Sequence, residues 1–211
     1  MVFEDRFHAG HLLAKKLAQY KNNKDVVIIA IPRGALEIGY VLAKELHAPL
    51  DVAFIKKISA PGQPEFAIGA VSMDAMVIAP EYAHIPGIQE YAQQQAAQIR
   101  DLLQERSMLY HREVKPQSLQ DKTVIVVDDG VATGRTLLLT LDLIKEQKPQ
   151  KIIVALPVGP KHTIDAIKQK ADEVICVHVP EQFLSVGQFY KNFAQVQDYV
   201  AIDLLKRANA S

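Results

Sequence analysis

The sequence predicts an α/β fold in which a mostly parallel, twisted sheet carries helices on both faces. Short runs that are apolar throughout alternate along the chain with amphipathic segments. Strands that are apolar on both faces belong to sheets covered on both sides. In addition, VVIIAI and TVIVVD run directly into the polar turns PRG and DDG. Ligands bind beyond the carboxyl ends of such strands, so both turns are expected at one functional edge.

The predicted elements follow a regular order, and apolar periodicity distinguishes the strands from the helices. After a first helix that carries His8 and His11, the strands are Val26–Ile31, Leu50–Ile55, Thr123–Asp128, Lys151–Val158 and Glu173–Val179. The helices between them are Ala35–Leu46, about 87–112, Arg135–Lys145 and Pro160–Ala171. In the long helix, the residues that keep helical spacing on one side are Ile88, Tyr91, Ile99, Leu102, Arg106 and Leu109. No repeat or long linker interrupts the order, which predicts one domain over residues 1–211.

The segment between the second strand and the long helix departs from this order. Ala67–Ser72 and Ala75–Ala79 predict a hairpin, whereas Lys56–Phe66 and Ala79–Pro86 are the least regular stretches of the chain. We call residues 56–86 the flap, and expect it to be mobile. Its prolines and glycine at 61–64 indicate a loop of defined shape.

Composition excludes several classes of protein. The formal net charge is zero, so neither nucleic acid nor a membrane surface is an expected partner. The single cysteine, Cys176, excludes a disulfide framework and a cysteine metal cluster, and fits a cytoplasmic setting. Acidic and basic residues precede any apolar run at the N-terminus, unlike a signal peptide. No apolar run approaches the roughly 20 residues that span a bilayer.

The stretch VIVVDDGVATGRT, residues 124–136, carries most of the chemical information. Gly130 and Gly134 allow close approach of the backbone to a ligand. Thr133 is a natural N-cap, which places a helix N-terminus and its free N–H groups at Gly134–Thr136, where a phosphate binds well. Asp128 and Asp129 repel a phosphate but suit sugar hydroxyls or hydrated Mg²⁺. Together these residues predict a site for a sugar phosphate.

A structural interpretation of the same stretch is that Asp129 or Thr133 only caps a helix and Gly130 only turns the chain. Two acids, two glycines and two threonines within nine residues favour the ligand site. Two other phosphate-binding motifs are excluded, because the chain has neither G-x-x-x-x-G-K-[ST] nor a G-x-G-x-x-G after the first strand.

At these residues the sequence resembles the type I phosphoribosyltransferases, whose motif is an apolar strand, two acidic residues and a loop ending in T-G-x-T. The segments DRFHAGHLLAKKL, IPRGALEIG, PGQPEFAIGAV, LPVGP and VPEQFLSVGQFYKNF also resemble a group of bacterial members with no assigned acceptor. The resemblance implies phosphoribosyl pyrophosphate (PRPP) as substrate, used with Mg²⁺, and a nitrogenous acceptor that displaces pyrophosphate. It also implies a homodimer, for which the long helix offers a face.

The resemblance assigns roles by motif. Asp128 and Asp129 would hold the ribose hydroxyls and, through them or through water, the metal. The remaining PRPP-binding residues would be Gly130, Val131, Ala132, Thr133, Gly134, Arg135 and Thr136. Pro32, Arg33 and Gly34 would form the pyrophosphate loop, which in relatives often has a non-proline cis peptide.

Each basic residue expected near the pyrophosphate has an alternative interpretation. Arg33 can bind pyrophosphate in bidentate fashion and stabilise the leaving group, or it is a surface arginine beside a tight turn. Lys56 and Lys57 can reach pyrophosphate from the flap, or they are solvated charges at a strand end. Glu65 is a candidate base, a loop latch, or not catalytic.

A C-terminal hood, residues 179–211, is expected to cover the acceptor. Its candidate acceptor-binding rings are Phe183, Phe189, Tyr190 and Phe193, although apolar rings usually belong to the core. Ala132 stands where the 6-oxopurine enzymes have an aspartate, and Lys191 or Asn192 stands near the place of a further acidic residue. These departures argue against hypoxanthine or guanine, and Ala132 alone does not establish adenine.

The leading hypothesis is therefore a Mg²⁺-dependent phosphoribosyltransferase. The alternative is a PRPP-binding regulatory or sensor protein on the same fold, since a fold does not determine its chemistry. A third interpretation is an α/β protein whose loop binds another phosphorylated metabolite.

Overall fold

The computed structural model describes residues 1–210, without the side chains of Pro64 and Glu65. The strands are β1 Val26–Ala30, β2 Leu50–Val52, β3 Lys56–Ala60, β4 Gln63–Val71, β5 Met76–Ile78, β6 Thr123–Val127, β7 Lys151–Val158 and β8 Glu173–His178. The helices are α1 Arg6–Lys16, α2 Ala35–Leu46, α3 Ile88–Tyr110, α4 Arg135–Lys145, α5 Lys161–Lys168 and α6 Asp198–Asn209. Two short 3-10 helices, Ala18–Tyr20 and Val186–Phe189, complete the described elements.

The main sheet is parallel and five-stranded, in the order β2-β1-β6-β7-β8. The fold class predicted from the sequence is thus confirmed. Strands β1 and β6 are neighbours in register, with Ala30 opposite Val127. The turns that follow them, Pro32-Arg33-Gly34 and Asp128-Asp129, consequently leave the sheet side by side.

Both faces of the sheet are buried. On one face, alternate residues of β1 and β6 such as Ile28 and Ile125 pack with α1, α2 and α6. On the other face, Val27 and Val126 pack with apolar residues of α4 and α5. All five residues of β1 and all five of β6 are buried, which explains why their sequences are apolar runs without alternation.

The flap is more regular than the sequence predicts. Lys56–Phe66, expected to be irregular, forms β3 and the start of β4, and the flap is a three-stranded antiparallel sheet. Ile58, Ile68 and Val71 form a core with Ile88 and Ala92 of α3. This shared core attaches the flap sheet to α3.

Only the first half of the stripe expected on α3 packs as predicted, with Ile88 buried and Ile99 against the core of the flap. Leu102 and Leu109 are about half exposed, at 53% and 51%, while Ala96, Leu103 and Tyr110 are buried. Small alanines, which the sequence interpretation passed over, let the flap sheet approach the helix closely. None of the helices within residues 1–210 is long and apolar enough to span a membrane.

The C-terminal part of the chain returns to the carboxyl edge of the sheet. Phe3 forms a parallel bridge with Tyr190, and its amide donates to the Phe189 carbonyl at 2.7 Å. Helix α6, which the sequence did not reveal, packs on α2 through Ala201 and Leu205 in the main core. This helix brings Asp198, its first residue, to the carboxyl edge of the sheet.

Candidate active site

The aspartate pair lies where the sequence placed it, immediately after β6. Asp128 and Asp129 are both half-buried. One oxygen of Asp128 (Oδ1) accepts from the Asp129 amide at 2.8 Å. Burial, and then the neighbouring charge of Asp129, raise the pKa of Asp128 well above its ordinary range. Asp128 is therefore a carboxylate whose ionised form a bound cation or hydroxyl donor would stabilise.

Asp129 is held by Arg6, a residue that the sequence interpretation missed. Arg6 Nε donates to Asp129 Oδ2 at 2.7 Å, and its NH1 lies 3.6 Å from Glu37 Oε2. The Arg6 side chain is only 7% exposed. Burial raises the pKa of Asp129, and the Arg6 charge opposes that rise. Arg6 thereby favours the ionised form of this half-buried carboxylate and fixes its direction.

The same arginine joins the aspartate to the hood. Its guanidinium carbon lies 3.9 Å from the centroid of the Phe193 ring, and NH1 donates to the Ala194 carbonyl at 2.9 Å. A Cβ on Gly34 would overlap the Asp129 carboxylate and would lie 2.7 Å from Arg6 Nε. Gly34 is thus required because the Arg6–Asp129 pair occupies the space beside it. No local pattern in the sequence pairs residues 6 and 129, which are 123 positions apart.

The loop after the aspartates forms a cradle. Among the residues that the structure describes, a cavity of about 160 Å³ is lined by Asp128 and Gly130–Leu137. Thr133 and Thr136 are exposed at its surface. Helix α4 begins at Arg135, as predicted, but Thr133 is not its cap. Gly134, with φ of 70°, takes the N-cap position without a side-chain hydrogen bond, which leaves the threonine hydroxyls and first-turn amides to a ligand.

Two close packing contacts shape this loop. The Thr163 hydroxyl of α5 donates to the Ala132 carbonyl at 2.6 Å, and a Cβ on Gly134 would lie 2.6 Å from the Thr163 methyl. Gly130 has φ of 146°, and a Cβ there would lie 2.6 Å from Val186 of the hood. The two glycines therefore serve close packing as well as backbone freedom.

The flap contacts the cradle through a stacked arginine–phenylalanine pair. The guanidinium carbon of Arg135 lies 5.1 Å from the ring centroid of Phe66, on β4. Leu139 and Leu143 of α4 also pack with Ala70 of β4. The cradle and the flap are thus connected through α4. Lys56 and Lys57 begin β3, with Lys56 exposed and Lys57 half-buried, and the role of Glu65 falls on a side chain outside the described residues.

The turn after β1 has the geometry expected from the resemblance, since the peptide bond between Pro32 and Arg33 is cis. Arg33 NH1 bonds Asp198 Oδ2 at 3.2 Å, and the Arg33 side chain is 27% exposed. Asp198 also accepts from Arg106 NH2 and from the Tyr110 hydroxyl, each at 2.7 Å. Neither Arg106 nor Asp198 was recognised as a site residue in the sequence.

The aromatic rings of the hood differ in burial. Phe189 and Tyr190 are buried, and the Tyr190 hydroxyl donates to the Asp129 carbonyl at 2.7 Å. Phe183 stacks on Phe189 with centroids 5.5 Å apart, and Phe193 stacks on Tyr190 at 4.9 Å. Phe183 and Phe193 are half-buried. The inner rings consequently support the outer ones from the core side.

Among the residues that the structure describes, no three or more His, Cys, Asp or Glu side chains converge as a metal site. The edge of the sheet instead presents two carboxylates, an amide-rich loop and an arginine turn. This arrangement can bind a phosphorylated sugar by its phosphate and its hydroxyls at the same time.

Comparison with known proteins agrees with this geometry. The model of the phosphoribosyl transferase domain matches residues 5–193. A Mycobacterium tuberculosis protein named "Putative phosphoribosyl transferase" is 34% identical over 210 residues, covering 99% of this chain and 47% of that protein. The chain thus spans about half the length of the curated relatives it matches. A uracil phosphoribosyltransferase of Mycoplasma genitalium is 42% identical over 60 residues, 26% of this chain and 29% of that protein.

Among solved structures, the Thermus thermophilus protein TT1426 is 36% identical, with a TM-score of 0.89 and complete coverage of both chains. The likeness therefore extends over the sheet, the flap and the hood together. The family model matches most of the chain, and the aspartate pair, the cradle and the turn after β1 lie at one edge of the sheet. The chain therefore belongs to the phosphoribosyl transferase domain family.

Proposed function

We propose that this chain transfers the 5-phosphoribosyl group of PRPP to a nitrogen of a small acceptor, releasing pyrophosphate. The observation that carries the proposal is the joining of three parts at one sheet edge. These are the cradle of Gly130–Leu137, the aspartate pair and the Pro32-Arg33-Gly34 turn on the neighbouring strand. They match in order the 5-phosphate, the ribose hydroxyls and the pyrophosphate of PRPP.

The residues supply what this displacement requires. As the bond to pyrophosphate breaks, positive charge develops on the ribose ring and negative charge on the leaving group. The carboxylates of Asp128 and Asp129 lie beside the ring, and Arg33 lies on the leaving-group side. Because Arg6 and the Asp129 amide bond one oxygen of each carboxylate, the second oxygen of each is the one to offer to a ribose hydroxyl.

The two aspartates can supply part of a Mg²⁺ coordination shell. Mg²⁺ in phosphate sites uses one or two carboxylates together with substrate oxygens and water, and Asp128 and Asp129 provide two carboxylates. One of them is already paired with Arg6. When bound, the ion would neutralise charge on the pyrophosphate, and most of its ligands would come from PRPP itself.

The acceptor is expected between the ribose site and the hood. Phe183 and Phe193 are the partly exposed rings, so they are the candidates to stack on a planar acceptor such as a nucleobase. The burial of Phe189 and Tyr190 supports the alternative, a core role, for these two residues. Ala132, exposed in the loop, offers no carboxylate to a base, which argues against a 6-oxopurine.

Calorimetric titration with PRPP, with and without Mg²⁺, tests the sugar-phosphate site. We expect Mg²⁺-dependent binding by the wild type and its loss in Asp128→Asn/Asp129→Asn. A matched double variant, Asp165→Asn/Asp203→Asn, removes two carboxylates from surface pairs with lysine and arginine, and should bind as the wild type does. A folded wild-type protein that does not bind PRPP would contradict the proposal.

Catalysis is tested separately by release of pyrophosphate with a panel of nitrogenous acceptors. Turnover that disappears in the aspartate double variant supports the transferase. Tight PRPP binding without pyrophosphate release from any acceptor would favour the regulatory or sensor protein. Competition by other pentose phosphates as strong as that by PRPP would favour a different phosphorylated ligand.

A further inference from the structure

We propose that Arg106 is a second pyrophosphate-binding arginine, which acts beside Arg33, and that Asp198 occupies their guanidinium groups until the substrate arrives. This inference rests on the proposed function, because it concerns the leaving-group end of the same site. It adds α3 and α6 to the elements that build the site, whereas the sequence analysis offered only the turn after β1 and the flap lysines, Lys56 and Lys57.

Geometry brings the two arginines together. Arg33 NH1 bonds one oxygen of Asp198 at 3.2 Å, and Arg106 NH2 bonds the other oxygen at 2.7 Å. Two guanidinium groups on the two oxygens of one carboxylate are close enough for a single pyrophosphate to span both. Pyrophosphate accepts the same planar, paired N–H groups that a carboxylate accepts.

The charge at this position favours an anion. Two guanidinium charges face the single charge of Asp198. Burial raises the pKa of Tyr110 to about 12, so that its hydroxyl remains protonated and donates to Asp198 at 2.7 Å. The four groups together carry an excess of one positive charge, and pyrophosphate brings more negative charge than a carboxylate does.

Exposure permits the exchange. The side chains of Arg33, Arg106 and Asp198 are 27%, 41% and 42% exposed, so water and a ligand can reach them. An ion pair at this exposure contributes little to stability and can be replaced without unfolding. Tyr110, by contrast, is buried against Phe54, and it fixes the end of α3 from which Arg106 projects.

Calorimetry with two separate probes tests the inference. Inorganic pyrophosphate with Mg²⁺ reports on the leaving-group end, and ribose 5-phosphate reports on the cradle. In Arg106→Gln we expect pyrophosphate binding to weaken about tenfold or more, since one charge-assisted contact is lost, while ribose 5-phosphate binding stays unchanged. Arg106→Lys, which keeps the charge but not the fork, should recover part of the loss.

The control is Arg112→Gln, which removes an exposed arginine just beyond the same helix and should leave both affinities unchanged. Asp198→Asn removes the competing charge and should tighten pyrophosphate binding several-fold. Equal pyrophosphate affinity in Arg106→Gln and the wild type would overturn the role of Arg106. Equal weakening of both probes would overturn it too, by showing a structural effect, and weaker pyrophosphate binding in Asp198→Asn would overturn the role of Asp198.

These failures differ from a failure of the proposed function. A wild type that binds neither pyrophosphate nor ribose 5-phosphate would contradict both proposals. A wild type that binds both probes, together with an Arg106→Gln variant of wild-type affinity, would contradict the present inference alone.

Discussion

Two arginine–carboxylate clusters flank the candidate site, and they differ in burial. The inner cluster is Arg6 with Asp129 and Glu37, in which the arginine is 7% exposed and each carboxylate 19%. The outer cluster is Arg33 and Arg106 with Asp198, at 27% to 42%. A buried pair is costly to break because it leaves an uncompensated charge. A half-exposed pair exchanges readily with water and ions. The inner cluster therefore serves as a fixed support, and the outer one as an exchangeable site.

The largest effect on stability is expected from Arg6→Met, which leaves Asp129 and Glu37 without their cation. We expect a loss of about 3 kcal/mol or more in the free energy of unfolding at neutral pH, measured by urea denaturation. Arg207→Met, which breaks an exposed pair with Asp203, is the control and should change stability by less than about 0.5 kcal/mol.

The pH dependence of the Arg6→Met variant sharpens this expectation. Burial already raises the pKa of Asp129 and of Glu37, and loss of Arg6 raises both further. A carboxyl with a raised folded-state pKa contributes stability below its unfolded pKa and loses it as pH rises through the folded pKa. The variant should thus be closest to the wild type in acid and furthest from it at neutral pH. If the loss of stability in Arg6→Met did not depend on pH, its cause would be the lost packing of Arg6 on Phe193 instead.

A second effect is expected at Gly34, which lies between the clusters. In Gly34→Ala the added methyl would overlap the Asp129 carboxylate and crowd Arg6. Overpacking of this kind costs about 1 to 3 kcal/mol, and the displaced Asp129 should weaken binding of ribose 5-phosphate. Wild-type stability and affinity in Gly34→Ala would show that the inner cluster is looser than its burial indicates.

A third effect concerns binding rather than stability. The raised pKa of Asp128 means that its ionised form declines as pH falls, and the site proposed for PRPP and Mg²⁺ uses that form. Titrations at successively lower pH should show weakening affinity, approaching about tenfold for each pH unit once the group is protonated. Asp128→Asn should bind more weakly throughout and should lose most of this dependence. Equal slopes in the two proteins would assign the dependence to another group.

The two clusters also show what the sequence can reveal. The aspartate pair, the cradle and the turn after β1 follow from contiguous residues, because a strand, its turn and the next helix N-terminus are local features. The cis peptide in that turn was expected only from the resemblance. The bounds of α2, α4 and β7 were predicted correctly for the same reason. Arg6 and Asp198 were missed, because their partners are more than 80 positions away and only tertiary packing unites them. In the flap, the hairpin of β4 with β5 was predicted correctly, whereas β3 and the start of β4 were missed because their small and polar residues lack strong alternation.

The smallest effect on stability is expected from Asp198→Asn. Hydrogen bonding by Tyr110 and then by Arg106, together with the charges of Arg106 and Arg33, lowers the pKa of Asp198. Its contribution to stability is therefore present above the unfolded-state pKa and disappears as pH falls through the lower folded pKa. With 42% of the side chain exposed, screening limits that contribution to about 1 kcal/mol or less. Urea denaturation at neutral pH should detect a small loss, in contrast to the large loss in Arg6→Met. If the two losses were equal, the outer cluster would be a structural element like the inner one, and its arginines would not be free to exchange Asp198 for pyrophosphate.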